Sequence, residues 1–246
     1  MDALFFKVIV VTWMILCAIS QTTYVAISYN GSLDRMLQRI QISGICAKFS
    51  RKVAVIYTAI AWAMVLLNAG FVMYSLFFSG GYMDSMLAPI TTYFYVSDLL
   101  IPRIVIYPVL VYFTAAWVFP HAMCFMLATI FTKQYQMLSI SFERMLAKSD
   151  ERRLSGSDIE SIRQRHQEIS MSVNDTDDFL MFHNAGAFCC QLGNSILILY
   201  NLIYFRASND PVVIIMLAYW MLGLLFALSV TTAGGIMVNH YVSTKH

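Results

Sequence analysis

Five long apolar runs divide this chain, and ahead of the fourth the pattern changes to the 3–4 spacing of an amphipathic helix. The first run, residues 3–28, is broken only by Lys7. It is too long for a secretory leader and shows no small-x-small cleavage site, so it reads as a membrane-spanning helix. Residues 53–78 form the second run, which ends at Ser79, Gly80 and Gly81 in a turn. The third, 104–130, carries Pro108 and Pro120 as expected kinks. Its pattern continues through Gln134, Leu138, Phe142 and Met145, which predicts a helix that leaves the membrane and runs on into the cytoplasm. The fourth run is 179–205, and the fifth, 212–238, follows a tight loop over 206–211. Met86–Ile101 is apolar apart from Asp98, yet at 16 residues and with Pro89 inside it is short for a span. It reads as an extracellular or re-entrant helix.

The stretch from Ser157 to Tyr204 joins the two kinds of pattern. Ser157 and Glu160 have the spacing of a capping box, which predicts a helix start. Ile159, Ile162, His166, Ile169 and Val173 follow at steps of 3, 4, 3 and 4, one stripe of a helix that packs on other helices in water. From Phe179 the charges stop and the helix enters lipid. The expected fold is therefore all-α: a polytopic transmembrane bundle of about five spans in a single membrane domain over 1–246. A cytoplasmic helical region over about 133–178 is continuous with the spans.

Composition supports this class. The chain is 59% hydrophobic and 12% charged, against roughly a quarter charged in soluble domains. The net charge of +2 gives no basis for nucleic-acid binding. Of the 16 Lys and Arg, five lie in 29–52 and seven in 133–178. Five spans place both basic loops on one side, which the positive-inside rule makes cytoplasmic, with the amino terminus outside and the carboxyl terminus inside. A sixth span would separate them. The sequons at Asn30 and Asn174 then lie on the cytoplasmic side and are expected to carry no glycan. The five cysteines have no metal-ligand spacing and read as small buried hydrophobes. The five histidines form no HExxH pattern. No cofactor and no enzymatic activity are expected.

Candidate chemistry is confined to three constellations. Asn184, Gln191, Asn194 and Asn201 fall at steps of 7, 3 and 7 along the fourth span. Such a stripe faces a partner helix as hydrogen-bonding glue, or it lines a pocket or ion path. Tyr74, Tyr107, Tyr112, Trp117, Tyr219 and Trp220 crowd one end of the spans, either as an interfacial belt or around an apolar pocket for a small organic ligand. The third is the stripe from Ile159 to Val173, a candidate assembly surface for further subunits. No Asp or Glu lies within a firm span, which argues against ion-coupled transport.

Residues 142–146, then Ile162-Arg163-Gln164-Arg165-His166, Val173-Asn174, Phe179 and Ile198-Leu199-Tyr200 resemble the insect-type gustatory receptor family. That pattern is F-x-x-L, R-x-x-H-x-x-L, a leucine/valine–asparagine pair and a span ending near L-Y. The resemblance covers about 145–205. It implies a tetrameric, ligand-gated cation channel in the plasma membrane, built from family subunits whose cytoplasmic helices pack into a central anchor. Aligned on the cytoplasmic loop, the five spans correspond to the family's second through sixth. The seventh, marked by T-Y-x-x-x-x-x-Q-F, has no counterpart in this sequence, so the 246 residues alone are expected to insert without passing a ligand-evoked current. A G-protein-coupled serpentine receptor is the alternative, for which Phe142-Glu143-Arg144-Met145 supplies Glu-Arg but no following aromatic. A non-receptor multi-pass membrane protein is the third class.

Overall fold

The computed structural model describes residues 2–31, 34, 38, 47–78, 100–149, 156–200, 202–203 and 211–243. They form five long helices: α1 (Asp2–Tyr29), α2 (Ala47–Phe77), α3 (Leu100–Ser149), α4 (Gly156–Tyr200) and α5 (Pro211–Ser243). No strand occurs among the described residues. The expected re-entrant segment over 86–99, most of the first basic loop and Asn201 lie outside them.

Local chemistry explains the boundaries. α1 closes where Gly31 takes φ 65°, the left-handed turn that glycine enters without a Cβ clash. The amide of Asn30 then bonds Ala26 O at 3.0 Å. α5 opens on Pro211, whose fixed φ suits the first helical position. α3 passes through Pro108 and Pro120 and on through the polar residues to Ser149 as one element. α4 likewise runs unbroken from its charged half into its apolar half. It begins at Gly156, within a turn of the expected start at Ser157. The Glu160 carboxylate takes two bonds from Arg163, at 2.7 and 2.8 Å, and one from Gln164 at 3.2 Å. A bidentate guanidinium three residues on thus pairs with this carboxylate along the helix surface. Those Arg163 bonds hold the Glu160 carboxyl below its usual range.

α2 (Lys48–Phe77), α3 (Leu100–Ala147) and α5 (Ile214–Ala233) each contain a stretch long and apolar enough to cross a membrane. α1 contributes a shorter apolar stretch, Val11–Ala26. α4 is not among the three, because His183, Asn184, Gln191 and Asn194 interrupt its apolar half. The helices also reverse the soluble pattern of burial. Leu66, Leu222 and Ile236 are 65%, 67% and 63% exposed, while Asn68, Gln191 and Asn194 are 4%, 1% and 3% exposed. Large apolar side chains outside and amides sealed inside are compatible with a chain solvated by lipid. Hydroxyls follow the same rule by folding back on their own helix. Thr22, Thr129 and Ser229 each bond the carbonyl four residues earlier at 2.8 Å.

The contacts group into two compact units. The first comprises Met1–Thr22, Thr58–Ala122 and Ala185–Ser229. The second comprises Thr23–Tyr57, Met123–Asn184 and Val230–His246. Unit 1 is held by apolar clusters around Val72, Leu76 and Leu110, around Ala61, Val65 and Val118, and around Ile9, Ile198 and Leu224. In unit 2, Leu127 and Phe131 of α3 pack on Leu180 of α4, flanked by Val173 and Tyr24. Tyr135 joins the same two helices, its ring 6.0 Å from that of His166 and its hydroxyl 3.3 Å from Ser170 Oγ.

Candidate functional site: an apolar cavity with an amide floor

Among the buried positions on the unit 1 part of α2, Ala61, Val65, Asn68, Val72 and Ser75 fall at steps of 4, 3, 4 and 3. One helix stripe thus turns inward, with an amide at its centre. On α3, Leu110, Thr114, Trp117, Val118 and His121 occupy one face by the same spacing. Together with α1, α4 and α5 these faces line a cavity of about 80 Å³. One water needs roughly 10–15 Å³ on that scale, so the space suits a small organic molecule.

Its apolar wall is made by Ile9, Val72, Leu110, Val118, Ile198 and Leu224. Four aromatics, Trp13, Trp117, Tyr219 and Trp220, supply broad flat contact. The Trp117 ring lies beside Gly223, where an added Cβ would sit at ordinary contact distance, 3.5 Å from the ring edge. No Asp, Glu, Lys, Arg or His lines the cavity, which selects a neutral occupant.

Three polar residues complete the lining: Asn68, Thr114 and Asn194. Asn68 is a hub. Its Nδ2 donates to Thr114 Oγ1 at 2.8 Å, and its Oδ1 accepts from Trp220 Nε1 at 2.6 Å. Thr114 passes its own proton to Leu110 O at 2.9 Å. The chain Trp220–Asn68–Thr114 ties α5, α2 and α3 together and fixes the orientation of the Trp220 ring. Nearby, the Tyr219 hydroxyl donates to Met64 O at 3.0 Å. Two polar atoms of the lining residues are different. Trp117 Nε1 and Asn194 Oδ1 are buried and have no hydrogen-bond partner among the described residues.

Behind Trp117 stands a polar pair. His121 Nδ1 lies 2.7 Å from Trp117 O, and Gln191 Nε2 meets His121 Nε2. A carbonyl can only accept, so Nδ1 carries the proton and the Nε2 lone pair receives the Gln191 amide. That assignment makes the imidazole a neutral strut between α3 and α4, with its ring 5.6 Å from the Trp117 ring.

Of the six aromatics singled out in the sequence, Trp117, Tyr219 and Trp220 line this cavity, while Tyr74, Tyr107 and Tyr112 do not. Tyr74 stacks on Phe78, Tyr107 packs beside the Val72–Leu76–Leu110 cluster, and Tyr112 is 57% exposed. Of the amide stripe, Asn194 lines the cavity and Gln191 braces His121. Asn184 belongs to unit 2, where its Oδ1 accepts from Cys124 Sγ at 3.6 Å. Of the stripe from Ile159 to Val173, Ile169 is buried, Ile162, His166 and Val173 are half-buried, and Ile159 is 50% exposed. Cys17 is buried, with its thiol on Phe113 O at 3.3 Å, but Cys189 is exposed. Sequence reasoning missed Asn68 and Thr114. The signal was there, since a lone amide inside an apolar run must find a partner across a helix interface. No family model, no curated protein and no solved structure matches this chain.

Proposed function

We propose that this chain is a chemosensory receptor subunit of the gustatory type. It would reside in the plasma membrane and sense a small neutral organic molecule in the unit 1 cavity. The cavity carries the reading: a concave apolar space with four aromatics, few polar groups and no charge is what a neutral ligand site requires. The resemblance of 145–205 to the gustatory family supplies the class and, with it, assembly with other family subunits into a cation channel. Five spans with the amino terminus outside and the carboxyl terminus inside complete the reading. The clustering of twelve basic residues in two loops supports that orientation.

Recording from cells that co-express the chain with a seven-span family member tests this function. A panel of neutral volatile and tastant compounds should evoke a cation current that persists under G-protein blockade and is lost in Trp117→Ala. A response abolished by G-protein blockade would replace this reading with the serpentine-receptor one. Topology is tested separately. Cysteines placed at positions 39 and 153 should both resist an impermeant reagent applied outside intact cells, and Asn30 and Asn174 should carry no glycan. Labelling of either position overturns the five-span orientation.

A further inference from the structure

The cavity's two unpartnered polar atoms have opposite character. Trp117 Nε1–H can only donate, and Asn194 Oδ1 can only accept. Both residues line the same space, on α3 and α4, and Asn194 is 3% exposed. A buried polar atom without a partner is costly, so it marks where an occupant supplies one. Three other polar groups of the lining already have partners. Asn68 bonds Trp220 and Thr114, Thr114 bonds Leu110 O, and Tyr219 bonds Met64 O. An occupant therefore meets one buried donor and one buried acceptor that no described residue satisfies.

Chemical classes separate on that requirement. A ketone, ester or ether oxygen accepts but cannot donate, and leaves Asn194 unmet. An ammonium donates but cannot accept, and a carboxylate accepts only. Both are also charged, and the lining offers no counter-charge. A hydrocarbon meets neither atom. A hydroxyl does both, with lone pairs for the indole N–H and one proton for the amide oxygen. We infer that the ligand of this cavity is a small neutral alcohol or phenol. Its hydroxyl bridges Trp117 Nε1 and Asn194 Oδ1, and its apolar body fills the space among Trp13, Val72, Trp220 and Leu224. This inference rests on the cavity being the ligand site proposed above.

The test uses the full chain in phosphatidylcholine nanodiscs, with its four tryptophan indoles labelled with ¹⁵N. The Trp117 resonance is identified by its loss in Trp117→Phe. Three matched probes are titrated: 2-phenylethanol, its methyl ether and ethylbenzene. The alcohol should move the Trp117 N–H signal saturably and bind about tenfold more tightly than the ether, the step expected for one hydrogen bond. The ether should in turn bind more tightly than the hydrocarbon. In Asn194→Leu the alcohol-over-ether preference should disappear. That substitution replaces an unpartnered amide with an apolar group of similar volume, so helix content by circular dichroism is expected to hold. Should that variant fail to fold, Trp117→Phe is the second arm and should lower the ether-over-hydrocarbon preference about tenfold. Equal affinity for alcohol and ether in the wild-type chain, as a water between the two atoms would produce, overturns the hydroxyl assignment and leaves the cavity standing as a binding site. Absence of saturable shifts at Trp13, Trp117 and Trp220 with all three probes overturns the cavity reading, and this inference with it.

Discussion

Ile169→Asp should lower the stability of this protein by about 3–5 kcal/mol, the usual cost of an unpaired charge in a packed seam. Ile169 is 7% exposed on α4. It is flanked one turn back by His166, whose ring meets Tyr135, and one residue on by Ser170, whose hydroxyl meets the same tyrosine. The α3–α4 pair of unit 2 thus closes directly beside this side chain. On the same helix, the guanidinium of Arg163 is committed to Glu160, and Arg165, one turn back, is exposed. Thermal unfolding in detergent, followed by helical circular dichroism, measures the cost. Ile159→Asp is the matched control. Its side chain is 50% exposed on the same stripe, so it should leave the midpoint within a degree or two and instead reduce the yield of crosslinked oligomers. A midpoint shift equal for both variants would show that the stripe has no inner and outer end.

That contrast shows what a sequence reading can and cannot resolve here. The 3–4 spacing from Ile159 to Val173 identifies a stripe in a polar helix, because polar neighbours mark the other faces. It does not say which part of the stripe is covered by the chain's own α3 and which is left for another subunit. Helix extents were legible for equally local reasons. Charge-free runs mark extents, and the pattern from Gln134 to Met145 carries α3 past the apolar run to Ser149. In α2, α3 and α5 the opposite holds. Nearly every residue is apolar, so no periodicity distinguishes the inward face from the lipid face. Aromatic content alone therefore groups Tyr112, which is mostly exposed, with Trp117, which lines the cavity. In such helices the polar exceptions carry the positional information. Asn68, the single amide of the second run, sits at the centre of the inward stripe. The stripe of α4 also divides by partner: Gln191 braces a histidine, whereas Asn194 lines the cavity unpartnered. No spacing rule encodes that division.

The Asn68 hub yields the second large effect. Asn68→Leu keeps the volume and removes both bonds. Thr114 still has Leu110 O to donate to, so its loss is small. Trp220 Nε1 is left as a donor without its acceptor, a penalty of about 1–3 kcal/mol. Together the two losses should cost roughly 2–3 kcal/mol. Trp220→Phe should cost less on its own, because the amide oxygen it orphans keeps a neighbouring Nδ2 bond to hold it in place. The double variant should then be less destabilised than the sum of the singles by about 1–2 kcal/mol, the upper part of the range for hydrogen bonds between membrane helices. Unfolding of the four proteins in mixed micelles measures this coupling directly. The same set reports on function, since both substitutions act on the cavity wall. Asn68→Leu should free the Trp220 ring and weaken binding of any cavity ligand, while Asn194→Leu should alter selectivity with stability intact. Strict additivity of Asn68→Leu and Trp220→Phe would show that the 2.6 Å contact carries no net energy, and the orientation of Trp220 would then have to come from apolar packing alone.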